Sequence, residues 1–320
     1  MCQKKNQERN IEISVVIPVY GCPGALPDLY RRLKETLKKI TDRYEVIFVN
    51  DACPYHSWDI VKSICEEDKH VIGINMSRNF GQIRAITAGL DLSAGEYVVV
   101  MDCDLQDRPE GIIELYEKLQ EGYDIVFARR KNRKDCAVTK FLSESFYKVL
   151  NYFSDGGYDA SICNFNISRR IVIDNYCKMR EQNRAFTIFL KWLGFASAVI
   201  DIEHEERAEG KSSYNIKKKI KMAISFITSQ SNKPLYISIY IGLFFAVFSL
   251  AATVYCLGNY FMAGDIPDGW TSIFISIYLL GGMILIVLGM IGIYIGNIFE
   301  ESKGRPLYVI REQMNLNEGE

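Results

Sequence analysis

The sequence predicts an α/β domain with a mainly parallel sheet, followed by a two-helix membrane hairpin. Two observations carry this. Apolar strand-like runs alternate with segments of helical spacing up to about residue 130. Two stretches of 31 residues, 234–264 and 269–299, then contain no Asp, Glu, Lys or Arg. Only Asp265 and Asp268 are charged between them. The mean hydropathy of -0.01 and net charge of -1 over 320 residues therefore average a charge-rich body with two uncharged runs.

The elements follow in order. Ile13 to Val19 is an apolar strand, and Ala25 to Ile40 has helical spacing. Glu45 to Val49 is a second strand, Ser57 to Glu67 a helix, Val71 to Asn75 a strand and Gly81 to Leu92 a helix. Tyr97 to Met101 is nearly uninterrupted apolar sequence, as for a strand covered on both faces. Pro109 opens a helix reaching about Glu121, and Ile125 to Ala128 is a further strand.

Near-neutral charge argues against a nucleic-acid partner. The stretch Met1 to Asn10 has no apolar run, so no signal peptide is expected. Nine cysteines occur without a CxxC pair or a Cys/His cluster at zinc spacing. They are expected to be reduced thiols.

Each uncharged run exceeds the ~20 residues needed to cross hydrocarbon. The spans are expected at about 235–257 and 270–299, within 234–299. Lys211, Lys217, Lys218, Lys219, Lys221 and Lys233 precede the first span, and Lys303, Arg305 and Arg311 follow the second. The link between them has no Lys or Arg. Both termini and the body 1–213 are therefore expected on the cytoplasmic side of an inner membrane. Residues 214–233 read as a basic amphipathic helix in the headgroup layer, with Ile216, Ile220, Ala223, Ile224 and Ile227 at helical spacing. Residues 300–320 read as a cytoplasmic tail. Gly289, Gly292 and Gly296 fall on one helical face, which allows close packing with the other span or in a homo-oligomer.

In parallel α/β sheets, ligands bind beyond the carboxyl ends of the strands. Polar residues cluster there: Tyr20 after the first strand, Asn50 and Asp51 after the second, and Asp102, Asp104, Gln106 and Asp107 after the fourth. No GxGxxG and no GxxxxGK[ST] is present. Two carboxylates as Asp-x-Asp at a strand end suit a hard divalent cation that also binds substrate phosphate.

These residues carry a resemblance. "SVVIPVY", "VND", "NMSRNFGQIRAITAGLDLSAGEYVVVMDCDLQDRPE", "EERAEGKSSYNIKKKIKMA", "NKPL" and "GRPLYVI" resemble glycosyltransferase family 2. Within it they are most similar to the polyprenyl-phosphate sugar transferases, which include dolichyl-phosphate mannose synthase and bactoprenol glucosyltransferases. The resemblance implies a GT-A nucleotide-sugar-binding domain. It implies inverting transfer from a nucleotide diphosphate sugar to polyprenyl phosphate at the bilayer, with Mg2+ or Mn2+ as cofactor. UDP-glucose is the donor it suggests first, with UDP-galactose or an amino sugar as rivals.

By the same resemblance, Pro18, Tyr20 and Asp51 line the nucleotide pocket, and Arg78, Asn79 and Gly81 shape it, with Gln82 nearby. Asp102 contacts the nucleotide, Asp104 holds the metal and Gln106 lies beside them. Arg207, Lys211, Ser212 and Ser213 are expected at the acceptor phosphate. Asp159 is the expected acidic group of a further motif and completes a catalytic set with Asp102 and Asp104. Asn164 competes with Asp159 for that place.

Asn50, Arg108 and Asn164 depart from the usual family pattern. They motivate one alternative, a membrane-anchored sugar-nucleotide-binding scaffold without catalysis. A second alternative is a processive polysaccharide synthase. It lacks support, because Gln182 to Phe186 has no QxxRW.

Overall fold

The computed structural model describes residues 9–130, 152, 162–202, 227–228, 231–263 and 269–316. They fall into two compact units. One lies within Met1–Tyr147, Tyr158–Tyr214 and Arg305–Glu320, the other within Lys148–Gly157 and Asn215–Gly304.

In the first unit the Val- and Ile-rich runs form the centre of a sheet: β1 (Ile13–Val19), β2 (Tyr44–Asn50), β3 (Val71–Met76) and β4 (Tyr97–Val100). Every residue of β1, β2 and β4 is buried, because helices cover both faces. On one face lie α1 (Leu26–Leu37), α2 (Ser57–Glu67) and α4 (Gly111–Gln120). On the other lie α3 (Gln82–Leu92), α5 (Arg170–Lys178) and α6 (Phe186–Trp192). In α1 the buried positions Leu26, Leu29, Tyr30, Leu33 and Leu37 recur at three and four, the spacing of one helical stripe.

Four more strands complete the sheet: β5 (Ile125–Arg130), β6 (Ile162–Arg169), β7 (Ser197–Ile202) and β8 (Ile310–Met314). The order is β7-β5-β6-β4-β1-β2-β3-β8. The pairs β1–β2, β1–β4, β2–β3 and β5–β7 are parallel. The pairs β4–β6, β5–β6 and β3–β8 are antiparallel. The sheet is thus mixed and mostly parallel, with β6 and β8 reversed.

The amino ends of the central strands are locked together. Buried Glu45 accepts hydrogen bonds from Ser14 Oγ (2.6 Å), Arg9 Nη1 (2.9 Å) and the Ala94 amide (2.7 Å). Two glycines permit the close approach this edge needs. A Cβ at Gly95 would meet the Ser14 backbone nitrogen at 2.5 Å, and one at Gly89 would meet Val16 Cγ1 at 2.4 Å.

One expectation is overturned. Cys22 and Cys103 form a disulfide, so the cysteines are not all reduced thiols. No spacing signal marks this pair, because 81 residues separate its members. They meet because β1 and β4 are neighbours and both chains leave the sheet at the same edge.

The residues after the membrane-like helices do not stay apart as a tail. Trp58 Nε1 donates to Glu312 (2.9 Å), and Lys62 pairs with the same carboxylate (2.8 Å). Lys62 first, then Trp58, holds the Glu312 carboxyl below its ordinary value. Upstream of β8, Tyr308 donates to Asp91 (2.7 Å), whose carboxylate also takes both Arg180 Nη atoms (2.8 Å each). Asn315, at φ +57°, donates from Nδ2 to the carbonyls of Cys65 (2.6 Å) and Val71 (2.9 Å).

The second unit contains two long helices, α7 (Lys233–Ala263, 31 residues) and α8 (Trp270–Ser302, 33 residues). Within α8, the 24 residues Leu279–Ser302 are long and apolar enough to cross a membrane. Tyr240, Phe244, Leu285, Ile286 and Ile298 are exposed large side chains on these helices. A Cβ at Gly289, Gly292 or Gly296 would meet open space. The expected amphipathic segment lies almost entirely outside the described residues.

Asn315→Ala removes the donor to two carbonyls and places an alanine at positive φ. We expect a cost of about 0.5–1.5 kcal/mol for each hydrogen bond lost. Hydrogen exchange should show faster exchange in β8 and β3 than in β1. Unchanged protection of β8 would refute the anchoring role.

Candidate functional site

The sheet order reverses at β1. The chain runs β1, β2, β3 to one side and then returns to β4 on the other side. A crevice at the carboxyl ends of β1 and β4 follows from that reversal. Pro18 widens it. The β1–β4 register ends at Val16↔Val100, and the last bond there is Met101 N to Val16 O (3.2 Å). Val16 faces β4, so Pro18, two residues on, faces the same way. It has no N–H to continue the ladder. On the β2 side pairing runs on to Val19↔Asn50, and the Asp51 amide reaches Val19 O (3.1 Å).

The predicted residues line this opening. Tyr20, the first residue past β1, is 52% exposed. Asp102 and Asp104 follow β4 and are partly exposed. Gln82 Nε2, in the first turn of α3, donates to Asp102 Oδ1 (2.7 Å). The Gln106 amide donates to Asp104 Oδ1 (3.2 Å), closing a tight turn on the second carboxylate. Leu105, between them, is held at φ +58°, an unusual conformation for a non-glycine residue.

Asp51 is placed differently from an open pocket lining. It is only 3% exposed. Its two oxygens accept from the amides of Phe80 (2.7 Å) and Gly81 (2.9 Å). Burial raises the carboxyl above its ordinary value, although these amides and the Arg78 charge pull the other way. The anion also sits at the amino end of α3, where helix amides favour negative charge. Asp51 therefore fixes the loop carrying Arg78 and Asn79. Both are exposed, and the Arg78 guanidinium lies 4.3 Å from the Phe80 ring centre. Gly81, at φ +95°, makes the bend into α3 that a side chain would strain.

A divalent cation fits the chemistry of this donor set. Asp102 and Asp104 offer hard oxygen at an accessible crevice. Among the described residues no group of three His, Cys, Asp or Glu side chains converges. A cation held there would draw its other ligands from phosphate oxygens and water, as Mg2+ commonly does.

The structure thus brings together Pro18, Tyr20, Asp51, Arg78, Asn79, Gly81, Gln82, Asp102, Asp104 and Gln106 on one edge of the sheet. Asn164, in β6, lies two residues beyond the pair Val100↔Asn166, on the side of Asp102. Asp159, Arg207, Lys211, Ser212 and Ser213 lie outside the described residues. Sequence reasoning missed the Cys22–Cys103 bond across the crevice and the turn at Leu105.

Comparison with known proteins gives this site its family. Residues 14–177 match the profile described as glycosyl transferase family 2. The chain is 34% identical to the bactoprenol glucosyl transferase of Shigella phage SfV, across 95% of this chain and 99% of that one. It is also 34% identical to the uncharacterized glycosyltransferase YkcC of Bacillus subtilis (strain 168), across 96% of each. Among solved structures, mannosyl-3-phosphoglycerate synthase from Rubrobacter xylanophilus shares the fold. Its TM-score is 0.51 at 15% identity, over 71% of this chain and 76% of that one. The chain belongs to glycosyltransferase family 2, and it is a glycosyltransferase.

Proposed function

We propose that this enzyme transfers a sugar from a nucleoside diphosphate sugar to a polyprenyl phosphate, with inversion, at the cytoplasmic face of a membrane. The observation that carries the donor half is the Asp102–Asp104 pair at the β1–β4 crevice, braced by Gln82 and the Gln106 amide. The acceptor half draws support from full-length relatives named bactoprenol glucosyl transferase. Those names also make UDP-glucose the first donor to test.

The chemistry needs little from a general base. A phosphate monoester has a second pKa of about 6, so the acceptor is largely dianionic at neutral pH. One of its oxygens attacks the anomeric carbon while the bond to the diphosphate oxygen breaks. Asp104 would hold a divalent cation, and such a cation would supply positive charge to the departing diphosphate. Gln82 holds Asp102, and Asp51 holds the 78–81 loop, so both walls are set before substrate arrives. Arg207, Lys211, Ser212 and Ser213 are assigned to the acceptor phosphate, where Arg binds bidentately and the hydroxyls donate. Asp159 is assigned to the acceptor side of the reaction.

The same reading places α7 and α8 across the membrane as a hairpin. Two observations support it. The sheet takes β1 to β7 from before the helices and β8 from after them, so both ends of the pair are tied to one unit. A hairpin returns the chain to the side from which it left, as this arrangement requires. The flanking Lys and Arg residues, absent from the link, favour the cytoplasmic side for that unit.

A panel of labelled nucleotide sugars, incubated with purified protein, polyprenyl phosphate and Mn2+, should yield one lipid-extractable product. Nucleotide binding without turnover on any donor would favour a non-catalytic scaffold instead. Asp104→Asn should lower kcat/KM about 100-fold or more, equivalent to ~3 kcal/mol of lost charge stabilisation. Near-normal turnover in that variant would remove the metal assignment.

Asp51→Asn keeps the size but turns one acceptor into a donor facing an amide. Donor KM should rise about tenfold or more, since a charged hydrogen bond contributes ~1.5–3 kcal/mol. A fall in kcat with KM unchanged would contradict the positioning role.

The topology can be read by protease protection of epitope tags in sealed vesicles. A tag in the 258–269 link should be cut only from the face opposite a tag at the carboxyl terminus. Cutting of both tags from one side would rule out the hairpin.

A further inference from the structure

The disulfide lies where the donor site is built. Cys22 follows Tyr20 and Gly21 at the end of β1, and Cys103 is the middle residue of Asp102-Cys103-Asp104. The bond therefore ties the two walls of the crevice to each other, beyond the point where the β1–β4 ladder stops. Gln82 Nε2 and the Gln106 amide also hold the acidic loop near this point. Both sulfurs belong to buried residues, Cys22 at 3% and Cys103 at 6% exposure. A third sulfur is close by. Cys53, after β2, accepts from the Gly21 amide (3.2 Å) and from Ser57 Oγ (3.2 Å).

We propose that Cys22 and Cys103 are positioning residues whose redox state sets donor affinity. This rests on the donor-site reading above. Oxidised, the pair holds Asp102 and Asp104 against the β1 wall. Reduced, it releases the 101–107 loop, and the two carboxylates lose their common frame. The chemistry is thiol–disulfide exchange with a dithiol reductant. One reductant sulfur attacks a protein sulfur and displaces the other, giving a mixed disulfide. The second reductant sulfur then displaces the protein thiol. Cys22 and Cys103 end as two thiols and the reductant as a disulfide, with two electrons and two protons transferred. The reverse step needs a small-molecule or protein disulfide as oxidant.

Compartment supports a switch over a permanent staple. The domain is assigned to the cytoplasm, where thiols are kept reduced and the disulfides that form are mostly transient or sensing. Location supports an effect on binding, because the bond spans the ligand crevice rather than the locked amino edge.

Reciprocity makes the idea quantitative. If oxidation tightens nucleotide binding about tenfold, bound nucleotide must stabilise the disulfide by the same factor. For a two-electron couple that is a shift of about 30 mV toward harder reduction.

Full-length protein in detergent should first be alkylated and mapped by mass spectrometry. A Cys22–Cys103 peptide is expected, whereas a Cys22–Cys53 peptide would overturn the assignment. Hydrogen exchange of residues 101–107 is then compared in oxidised and dithiothreitol-reduced protein without ligand. Faster exchange on reduction, reversed by reoxidation, is expected. Equal exchange in the two states would end the proposal.

Binding of UDP with Mn2+ should weaken about tenfold on reduction. In the Cys22→Ser/Cys103→Ser variant it should be weak with or without reductant. Donor KM should rise with kcat little changed, which a loss of folded protein would not produce. A disulfide midpoint unmoved by UDP and Mn2+, despite binding, would refute the coupling. A redox response in exchange, with no nucleotide bound by either form, would instead refute the donor-site reading and leave the loop switch standing.

Discussion

The early end of the β1–β4 ladder is the constraint on which the rest depends. At the amino edge, Glu45, Ser14, Arg9 and the Ala94 amide bind the strands tightly together. At the carboxyl edge β1 stays paired with β2 and parts from β4. The chain reversal at β1 puts a gap there, and Pro18 keeps it open, since a proline cannot extend the ladder toward β4. A sheet sealed at one end and split at the other offers a ligand a place at the split. Gly89 and Gly95 serve the same asymmetry from below, because each lets backbone come closer to β1 than a Cβ would allow.

Once the gap exists, its walls need fastening, and the acidic residues divide that work. Asp51 spends both oxygens on the amides of Phe80 and Gly81, so it acts through the loop. Asp102 is held from α3 by Gln82, and α3 begins where Asp51 fixes it. The two walls therefore share a helix. A ligand that draws on the Asp102–Asp104 loop and on the 78–81 loop reads one connected frame, consistent with tight positioning of a diphosphate. The disulfide adds a covalent member to that frame.

Legibility in the sequence followed burial. β1 and α2 lie where apolar period placed them, and β2, β3, β4 and α3 differ by a residue or two at their ends. These are the elements with unbroken apolar runs or clean helical stripes. The outer strands left weaker traces. β8 reads Ile-Arg-Glu-Gln-Met and β7 alternates exposed and partly exposed positions, as edge strands do. β6 carries Asn164, Asn166 and Ser168 among its apolar residues, which blurs the period. The residue types of the site were legible because strand ends are where polar residues interrupt apolar runs. Their partners were not. That Asp51 turns to backbone amides depends on a loop thirty residues downstream, and that Cys22 meets Cys103 depends on strand order. Neither is written in local spacing.

β8 gives the membrane-like segment its meaning for the fold. A terminal segment past two long apolar helices could have been left loose, at little cost to the rest. Here it pairs with β3, engages α2 through Glu312 and reaches α3 through Tyr308 and Asp91. Closing so long a loop costs entropy that grows only with the logarithm of its length. A strand ladder and several specific hydrogen bonds offset it. The return makes the helical pair a closed excursion from one sheet, not an appendage hung from one end. The Asp102–Asp104 edge and the two apolar helices thus belong to one continuous chain that is tethered to the sheet at both ends of the helical pair.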